Sequence, residues 1–127
     1  MKTRMVFRFF AIALLVAPLT GFAEIPNESE PDYSEAVIFY NTKRFDRALT
    51  MLEQLQRTLP KSVEVLELKA LTLRATQKDK QAAVVYKDLI DLKTKQAAPR
   101  KEIAPYAFEL GMIRFNEGDF KKAIGLF

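Results

Sequence analysis

The chain has 127 residues, of which 49% are hydrophobic and 28% charged, a composition that fits one modest globular domain. It contains no cysteine and no histidine, which excludes disulfides, thiolate metal sites, cysteine nucleophiles and histidine-based proton transfer. The formal net charge of +4 comes from 20 basic and 16 acidic residues.

The first predicted element is a secretory signal peptide over residues 1–23. Three basic residues precede an apolar run at residues 9–19, and residues 21–23 include the small side chains that a signal peptidase reads. The apolar run is too short to span a bilayer core of about 30 Å comfortably. We therefore expect cleavage before Glu24, export to the periplasm or the medium, and no stable membrane span after cleavage. An uncleaved anchor and a buried helix are the alternatives.

Charge beyond the signal peptide gives little reason to expect a polyanionic partner. The basic and acidic residues after position 23 nearly balance, so nucleic acid is not an expected partner. Residues 69–101 do form a basic stretch, with nine lysine and arginine residues against three aspartates. A solvated helix surface explains this stretch most simply, and an anionic polymer as ligand is the alternative.

The remainder of the chain has the period of α-helices. Residues 24–31 are polar, contain two prolines, and are expected to form a flexible leader. Ala48, Leu52, Leu55 and Leu59 then make one apolar helical stripe, and a similar stripe begins at Ala82. We predict helices over residues 32–42, 45–58, 63–76, 79–94, 104–117 and 120–127.

Residues typical of helix ends stand between these segments. Ser62 is a predicted N-cap, and Asp119 is a second one that follows the helix-breaking Gly118. Pro105 is expected in a first helical turn, where its missing N–H has no cost. Residues 94–102 are expected to form a polar loop that carries Pro99.

The helical segments recur as three copies of a helix-turn-helix unit. Aligning them on Ala48, Ala82 and Ala123 gives spacings of 34 and 41 residues. The first copy contains Phe45, Ala48 and Pro60. The third copy is the most regular. Its characteristic residues are Leu110, Gly111, Gly118, Asp119, Phe120, Ala123 and Phe127.

These residues resemble the tetratricopeptide repeat (TPR) family, in its exported bacterial type, whose unit is 34 residues long. The resemblance covers residues 32–127, with copies at about 32–61, 62–102 and 103–127, the last incomplete. The middle copy departs from the family at Lys69, Asp79 and Thr94. The resemblance implies an all-α fold in which antiparallel helix-turn-helix repeats stack as a short right-handed α-solenoid, preceded by the signal peptide.

The end of the chain falls within the sixth predicted helix. A solenoid repeat buries its apolar face against the next repeat, so Ile124 and Phe127 are expected to be partly uncovered. We expect a piece of a longer repeat protein. The alternative is a short protein that self-associates through its C-terminal end.

No residue pattern predicts catalysis, a cofactor or a metal ion. The few glycines after position 23 form no phosphate-binding loop. Asp88 and Asp91 lie one helical turn apart, but lysines surround them, and a solvated ion-paired face explains them better than a metal site. We therefore expect a protein that is not an enzyme.

The resemblance instead implies a binding groove on the first helix of each copy. Several of the implied groove residues are large and apolar, which suits an apolar peptide or helix; packing beneath the neighbouring copy is the alternative. One subtype of the family grips a carboxylate with Lys, Arg and Asn, and this chain lacks those residues at the matching places. The implied groove residues are Tyr33, Val37, Tyr40, Asn41, Glu67, Leu71, Arg74, Phe108, Met112, Phe115 and Asn116.

The expected function is a protein–protein interaction scaffold of the bacterial envelope or the secreted fraction, with other proteins or peptides as partners. The alternative is the N-terminal docking module of a longer exported enzyme. Sequence downstream of Phe127 distinguishes the two, because further repeats favour the scaffold and a different domain favours the docking module.

Overall fold

The structure, a computed structural model, describes residues 25–26 and 28–127. The predicted signal peptide and its cleavage site lie outside the described residues. All regular structure in the described part is α-helical, and none of its helices is long and apolar enough to cross a membrane. The helices are α1 (Glu30–Asn41), α2 (Phe45–Thr58), α3 (Val63–Ala75), α4 (Asp79–Lys95), α5 (Arg100–Asn116) and α6 (Phe120–Leu126).

The six helices pack in chain order as three hairpins, α1/α2, α3/α4 and α5/α6. Each helix contacts the next along the chain, and the first helices of hairpins one and two also contact each other. Turns of three or four residues separate the helices. Because the turns are this short, each helix folds back against the helix before it. The expected all-α helical-repeat fold is confirmed.

A left-handed residue ends the first helix of every hairpin. Lys43, Gln77 and Gly118 occupy equivalent turns and have φ angles of 60°, 59° and 80°. At each turn, two backbone N–H groups donate to carbonyls of the last helical turn, as in Lys78 N to Leu73 O at 2.8 Å. These bonds satisfy carbonyls that the helix end leaves without partners. Only Gly118 adopts this conformation without steric cost.

Two clusters of buried apolar side chains form the core. Small residues on the first helices, Ala36, Ala70 and Gly111, are all buried. The smaller cluster joins hairpins one and two: Ala36, Leu52, Leu55, Val65 and Leu68. The larger one joins hairpins two and three: Leu49, Leu66, Ala70, Leu73, Ala82, Ala83, Val85, Tyr86, Leu89, Leu110 and Ile113.

The predicted N-caps are confirmed. The Ser62 hydroxyl accepts a hydrogen bond from the Val65 N–H at 3.4 Å, and the Asp119 carboxylate accepts one from the Lys122 N–H at 3.3 Å. Each cap satisfies a backbone donor that the first helical turn leaves without a partner. These interactions fix where α3 and α6 begin.

The expectation that Pro105 lies in a first helical turn is wrong. α5 begins at Arg100, and Pro105 lies inside it. The helix begins early because Pro99 takes the N-cap position in an extended conformation, with its carbonyl accepting from the Glu102 N–H at 2.9 Å. Pro105 therefore leaves one backbone hydrogen bond of α5 unmade, at a place where the carbonyl-bearing residue, Lys101, is exposed to water.

The extra seven residues before the third copy are mostly helical, so the expected polar loop over residues 94–102 is also wrong. α4 and α5 each have 17 residues, against 12 to 14 in the first three helices. The turn between them covers residues 96–99, where Ala97 has a φ of 54°. An ion pair of 3.1 Å between Lys93 and Glu102 closes this turn.

The last hairpin exposes a face that the earlier hairpins bury. Ile124 and Phe127 are 73% and 62% exposed, whereas their equivalents in hairpin one, Leu49 and Leu52, are 8% and 0% exposed. Leu49 and Leu52 are covered because hairpin two packs against them. The expectation that Ile124 and Phe127 are partly uncovered is thus confirmed for the described residues.

Candidate interaction surface

The residues assigned to a groove by sequence all lie on α1, α3 and α5, the first helices of the hairpins. They share the repeat spacing of the left-handed turn residues, so they occupy equivalent positions. We call this set the first-helix surface. Its rows are Tyr33–Glu67–Phe108, Val37–Leu71–Met112, Tyr40–Arg74–Phe115 and Asn41 with Asn116.

No residue of the first-helix surface is buried in the core. Leu71, Phe108 and Phe115 are 45%, 55% and 49% exposed, and both asparagines are exposed as well. Large apolar side chains that remain this accessible on one surface are typical of interaction sites. The surface thus offers apolar contact area on α3 and α5.

The α1 residues of this surface are more enclosed. Tyr33, Val37 and Tyr40 are half-buried and pack against the smaller core cluster. They therefore serve the packing of hairpin one on hairpin two while leaving part of each side chain accessible. Packing beneath the neighbouring copy, one of the two alternatives that the sequence left open, accounts for the buried part of these side chains.

One contact recurs at the turn of each hairpin, with different chemistry in the middle one. Tyr40 and Phe45 make an edge-to-face pair with ring centroids 5.7 Å apart, and Phe115 and Phe120 make the equivalent pair at 5.1 Å. At the same place in hairpin two, an Arg74 guanidinium nitrogen lies 3.3 Å from an Asp79 carboxylate oxygen. The unusual Asp79 therefore has a partner, and an ion pair replaces an aromatic pair.

Two side-chain contacts join α3 to α5 across the first-helix surface. The Tyr106 hydroxyl donates a hydrogen bond to the Glu67 carboxylate. Arg74 also reaches α5, where a guanidinium nitrogen lies 3.7 Å from a Glu109 carboxylate oxygen. These contacts place polar and charged groups between the apolar residues of the surface.

Three tyrosines, one from each hairpin, have raised pKa values, with burial as the largest cause in each. Burial raises the pKa of Tyr33, and the negative charges of Glu64 and Glu67 add to the effect. Burial also raises the pKa of Tyr106, followed by its hydrogen bond to Glu67. In Tyr86, burial and then the charge of Glu109 raise the pKa to about 12.

Tyr106 and Glu109 of α5 contact residues of this surface, and Tyr86 of α4 lies beneath it in the core; none of the three was identified from sequence. Tyr86 lies on α4, where its period assigns it to the core, and it is indeed 4% exposed. After burial, the charges of Glu109, Arg74 and Glu67, which lie on α3 and α5, also affect the pKa of its hydroxyl. The sequence feature that could have identified Tyr86 is its hydroxyl group within an otherwise apolar helical stripe.

Phe108 lies at the edge of the first-helix surface. Its ring centroid is 5.7 Å from that of Phe127, on α6's C-terminal side. The two rings border a shallow depression of about 350 Å³, which Ala104, Ala107 and Leu126 also line. Phe108 is therefore shared between the first-helix surface and the uncovered face of the last hairpin.

The basic stretch over residues 69–101 is dispersed in the structure. Lys69 donates to the Gln56 side chain at 2.7 Å, Arg74 pairs with two acids, and Lys93 pairs with Glu102. Lys78 and Lys80 are exposed near the start of α4. Among the described residues, no group of three or more acidic side chains is arranged to hold a metal ion.

Comparison with known proteins gives a structural match and no sequence match. No family model matches the chain, and no curated protein does. A solved structure, the TPR2AB-domain:pHSP90-complex of yeast Sti1, matches with a TM-score of 0.63 and 21% sequence identity. The match covers 78% of this chain and 38% of that chain. The chain is therefore similar in fold to a TPR domain.

Proposed function

We propose that this chain is a protein–protein interaction scaffold that binds a peptide or helix of a partner protein on its first-helix surface. The observation that carries the proposal is the accessible apolar row Val37–Leu71–Met112 with Phe115 beside it. A row on the first helices of three successive hairpins suits an elongated ligand that crosses them. The yeast Sti1 structure supports the proposal, because it is a complex of a TPR-fold protein with pHSP90.

Aromatic residues at the two ends of the third row are the proposed anchors. Tyr40 and Phe115 occupy equivalent positions on α1 and α5, and each is braced by an aromatic partner across its turn. Braced aromatic side chains lose little rotational freedom on binding and are the residue type that most often dominates an interface. A ligand lying across the three helices contacts both.

Peptides selected from a random display library provide the ligands that test this function. The double variant Tyr40→Ala/Phe115→Ala is expected to weaken binding by at least about tenfold, or about 1.4 kcal/mol. The matched control is Lys78→Ala/Lys80→Ala, since exposed charges are typically worth under about 1 kcal/mol each. Both variants must retain the helical circular dichroism spectrum of the parent. A larger loss in the lysine variant, abolished by salt, contradicts the proposal and favours an anionic partner.

The proposal includes export and, with it, an envelope or secreted setting. It is supported by the basic, apolar and small-residue order of residues 1–23. N-terminal sequencing of the exported protein is expected to begin at Glu24. Exported material that retains Met1 contradicts cleavage, and retention of all material in the cytoplasm contradicts export.

A further inference from the structure

The turns inside the hairpins lie at one edge of the molecule, because each helix folds back against the helix before it. We call the part of this edge that hairpins one and two form the turn edge. Its basic residues are Lys43, Arg44 and Arg47 from hairpin one and Lys78 and Lys80 from hairpin two, and all five are exposed. Residues of both hairpins line one shallow depression there, of about 400 Å³. The two turns are therefore neighbours in space.

Basic side chains outnumber acidic ones around this depression. Lys43, Arg44 and Arg47 line it together with a single acid, Asp46, and with Thr76, which follows α3. Within the described residues, none of the three basic side chains makes an ion pair. Like charges gathered around one depression repel one another, so a ligand that brings negative charge removes this repulsion.

Hairpin two extends the positive charge beyond the depression. Lys78 and Lys80 also make no ion pair within the part of the chain that the structure describes. Asp79 stands between them in the sequence, but its carboxylate is already paired with the Arg74 guanidinium at 3.3 Å. The acid of the turn edge that has no basic partner among the described residues is Asp46, against five such cations.

The Arg47 guanidinium is held in place without losing its charge. Its central carbon lies 5.8 Å from the centroid of the Phe39 ring. An aromatic face attracts a cation but does not neutralise it as a carboxylate does. The contact also limits the motion of the side chain, which lowers the entropic cost of binding an anion.

The opposite edge of the molecule has a different balance of charge. The turns between successive hairpins lie there and border a depression of about 450 Å³. Its lining residues include two lysines, Lys61 and Lys95, and two aspartates, Asp88 and Asp91. Positive and negative charges are thus matched around this depression, in contrast to the depression at the turn edge.

The turn edge suits a ligand that is held by charge alone. Among the described residues, none of the exposed large apolar side chains lies within residues 42–47 or 76–81. A protein partner usually needs such side chains as anchors, so an acidic protein segment fits poorly. Cations on separate, flexible side chains instead suit an anionic polymer, which they bind by releasing its counterions. Arginine adds paired hydrogen bonds that match the geometry of a phosphate group.

We infer that the turn edge binds an anionic polymer with repeated phosphate groups, through Lys43, Arg44, Arg47, Lys78 and Lys80. The residues of hairpin one contact one stretch of phosphates at the depression, and the lysines of hairpin two contact the next stretch. The turn edge shares no residue with the first-helix surface, so this inference goes beyond the proposed function and does not depend on it. A scaffold with both surfaces links a partner protein to the polymer.

Fluorescein-labelled polyphosphate is the probe that tests this inference, with binding followed by fluorescence anisotropy at several salt concentrations. Saturable binding is expected. With five phosphate contacts, the logarithm of the association constant should fall against the logarithm of the salt concentration with a slope of roughly −3 to −4, by analogy with single-stranded nucleic acids. Labelled poly-glutamate is expected to bind less tightly than polyphosphate.

The double variant Lys43→Gln/Arg47→Gln removes charge without disturbing the turn. Hairpin two carries glutamine at both equivalent positions, Gln77 and Gln81, so the fold accepts the substitutions. The variant is expected to weaken polyphosphate binding about tenfold and to reduce the magnitude of the slope by roughly 1.4. Its circular dichroism spectrum and melting temperature should match those of the parent protein.

The matched control is Lys61→Gln/Lys95→Gln, which removes the same charge from the opposite edge and should bind polyphosphate as the parent does. Lys78→Gln/Lys80→Gln is a second turn-edge variant, with the same expected loss as the first. Equal losses in the control and the turn-edge variants overturn the inference, because binding then reflects net charge alone. Parental binding in both turn-edge variants overturns it, and so does the absence of saturable binding.

The comparison with poly-glutamate tests the class of ligand. Tighter binding of poly-glutamate than of polyphosphate overturns the inference and assigns the turn edge to an acidic protein segment. These outcomes are distinguishable from failure of the proposed function, because display-selected peptides report on the first-helix surface and polyphosphate reports on the turn edge.

Discussion

The Tyr106 hydroxyl of α5 donates a hydrogen bond to the Glu67 carboxylate of α3, joining two residues 39 positions apart in the chain. α3 and α5 are the first helices of adjacent hairpins, and side chains rather than backbone contacts connect them. The bond therefore helps set the spacing of the first-helix surface on which the proposed ligand lies.

A double-mutant cycle measures the free energy that this hydrogen bond contributes to stability. Tyr106→Phe and Glu67→Ala each remove this bond and are each expected to lower the free energy of unfolding, with a coupling of about 1 kcal/mol between them, because a half-exposed hydrogen bond gains less than a buried one. Urea denaturation of the four proteins gives the coupling. Strictly additive effects would mean that the two side chains do not interact in solution.

Alkaline pH tests the burial of Tyr86. The folded chain keeps the Tyr86 proton up to a pKa of about 12, whereas the unfolded chain loses it near the ordinary value of 10. The contribution of this residue to stability is therefore complete below pH 10 and is lost as the pH rises from 10 towards about 12.

Tyr86→Phe isolates that contribution, because the lysines titrate alike in both proteins. The stability of the parent relative to Tyr86→Phe is expected to fall between about pH 10 and about pH 12, as measured by urea denaturation. A difference that stays constant across this range would show that the folded and unfolded chains release the Tyr86 proton at the same pH.

The left-handed turns predict a stabilising substitution. Gln77 is exposed with a φ of 59°, while the equivalent Gly118 has a φ of 80°. Gln77→Gly removes the strain of a side chain in this conformation and is expected to raise the free energy of unfolding by roughly 0.5–1 kcal/mol.

A glycine inside a helix is the control for that substitution. Gln81→Gly, at an exposed position in α4, is expected to lower the free energy of unfolding by about 1 kcal/mol. Chemical denaturation compares the two variants directly. If Gln77→Gly destabilises the protein as Gln81→Gly does, residue 77 is not left-handed in solution.

The uncovered face of the last hairpin predicts that a helix covering it raises the thermal stability of the protein. Fusing a designed amphipathic helix after Phe127 would bury Ile124 and Phe127, and burial of such side chains contributes roughly 1.5–3 kcal/mol each. The melting temperature is therefore expected to rise by several degrees. A fused helix with a wholly polar surface is the control and should leave the melting temperature unchanged.

Self-association depends on the same face. Analytical ultracentrifugation is expected to show reversible association of the uncapped chain and a monomer once the apolar helix is fused. An unchanged melting temperature with the apolar helix would mean that the face needs no cover.

The fold follows most directly from the sequence where local chemistry determines structure. The apolar period located all six helices, and the caps Ser62 and Asp119 fixed two of their beginnings. The prediction was wrong between the second and third hairpins, where a proline and extra residues suggested a loop. Pro99 instead takes the N-cap position, so α5 begins five residues before Pro105.

The surface was harder to predict, because its polar contacts join distant residues. The repeat spacing placed Leu71, Arg74 and Phe115 on first helices, and each remains accessible. The same spacing gave no indication that Tyr106 bonds to Glu67, or that burial and then the charge of Glu109 raise the pKa of Tyr86. Such contacts depend on the separation of α3 and α5, which no local pattern encodes.

The most direct test of the scaffold function compares one apolar residue on the proposed binding surface with one elsewhere. Leu71 on α3 and Val84 on α4 are 45% and 60% exposed, so a charge at either position should leave the fold intact. Fluorescence anisotropy with a display-selected peptide gives the dissociation constant for Leu71→Glu and Val84→Glu. The account predicts at least about tenfold weaker binding for Leu71→Glu and parental binding for Val84→Glu. Parental binding in Leu71→Glu, or a larger loss in Val84→Glu, would contradict it.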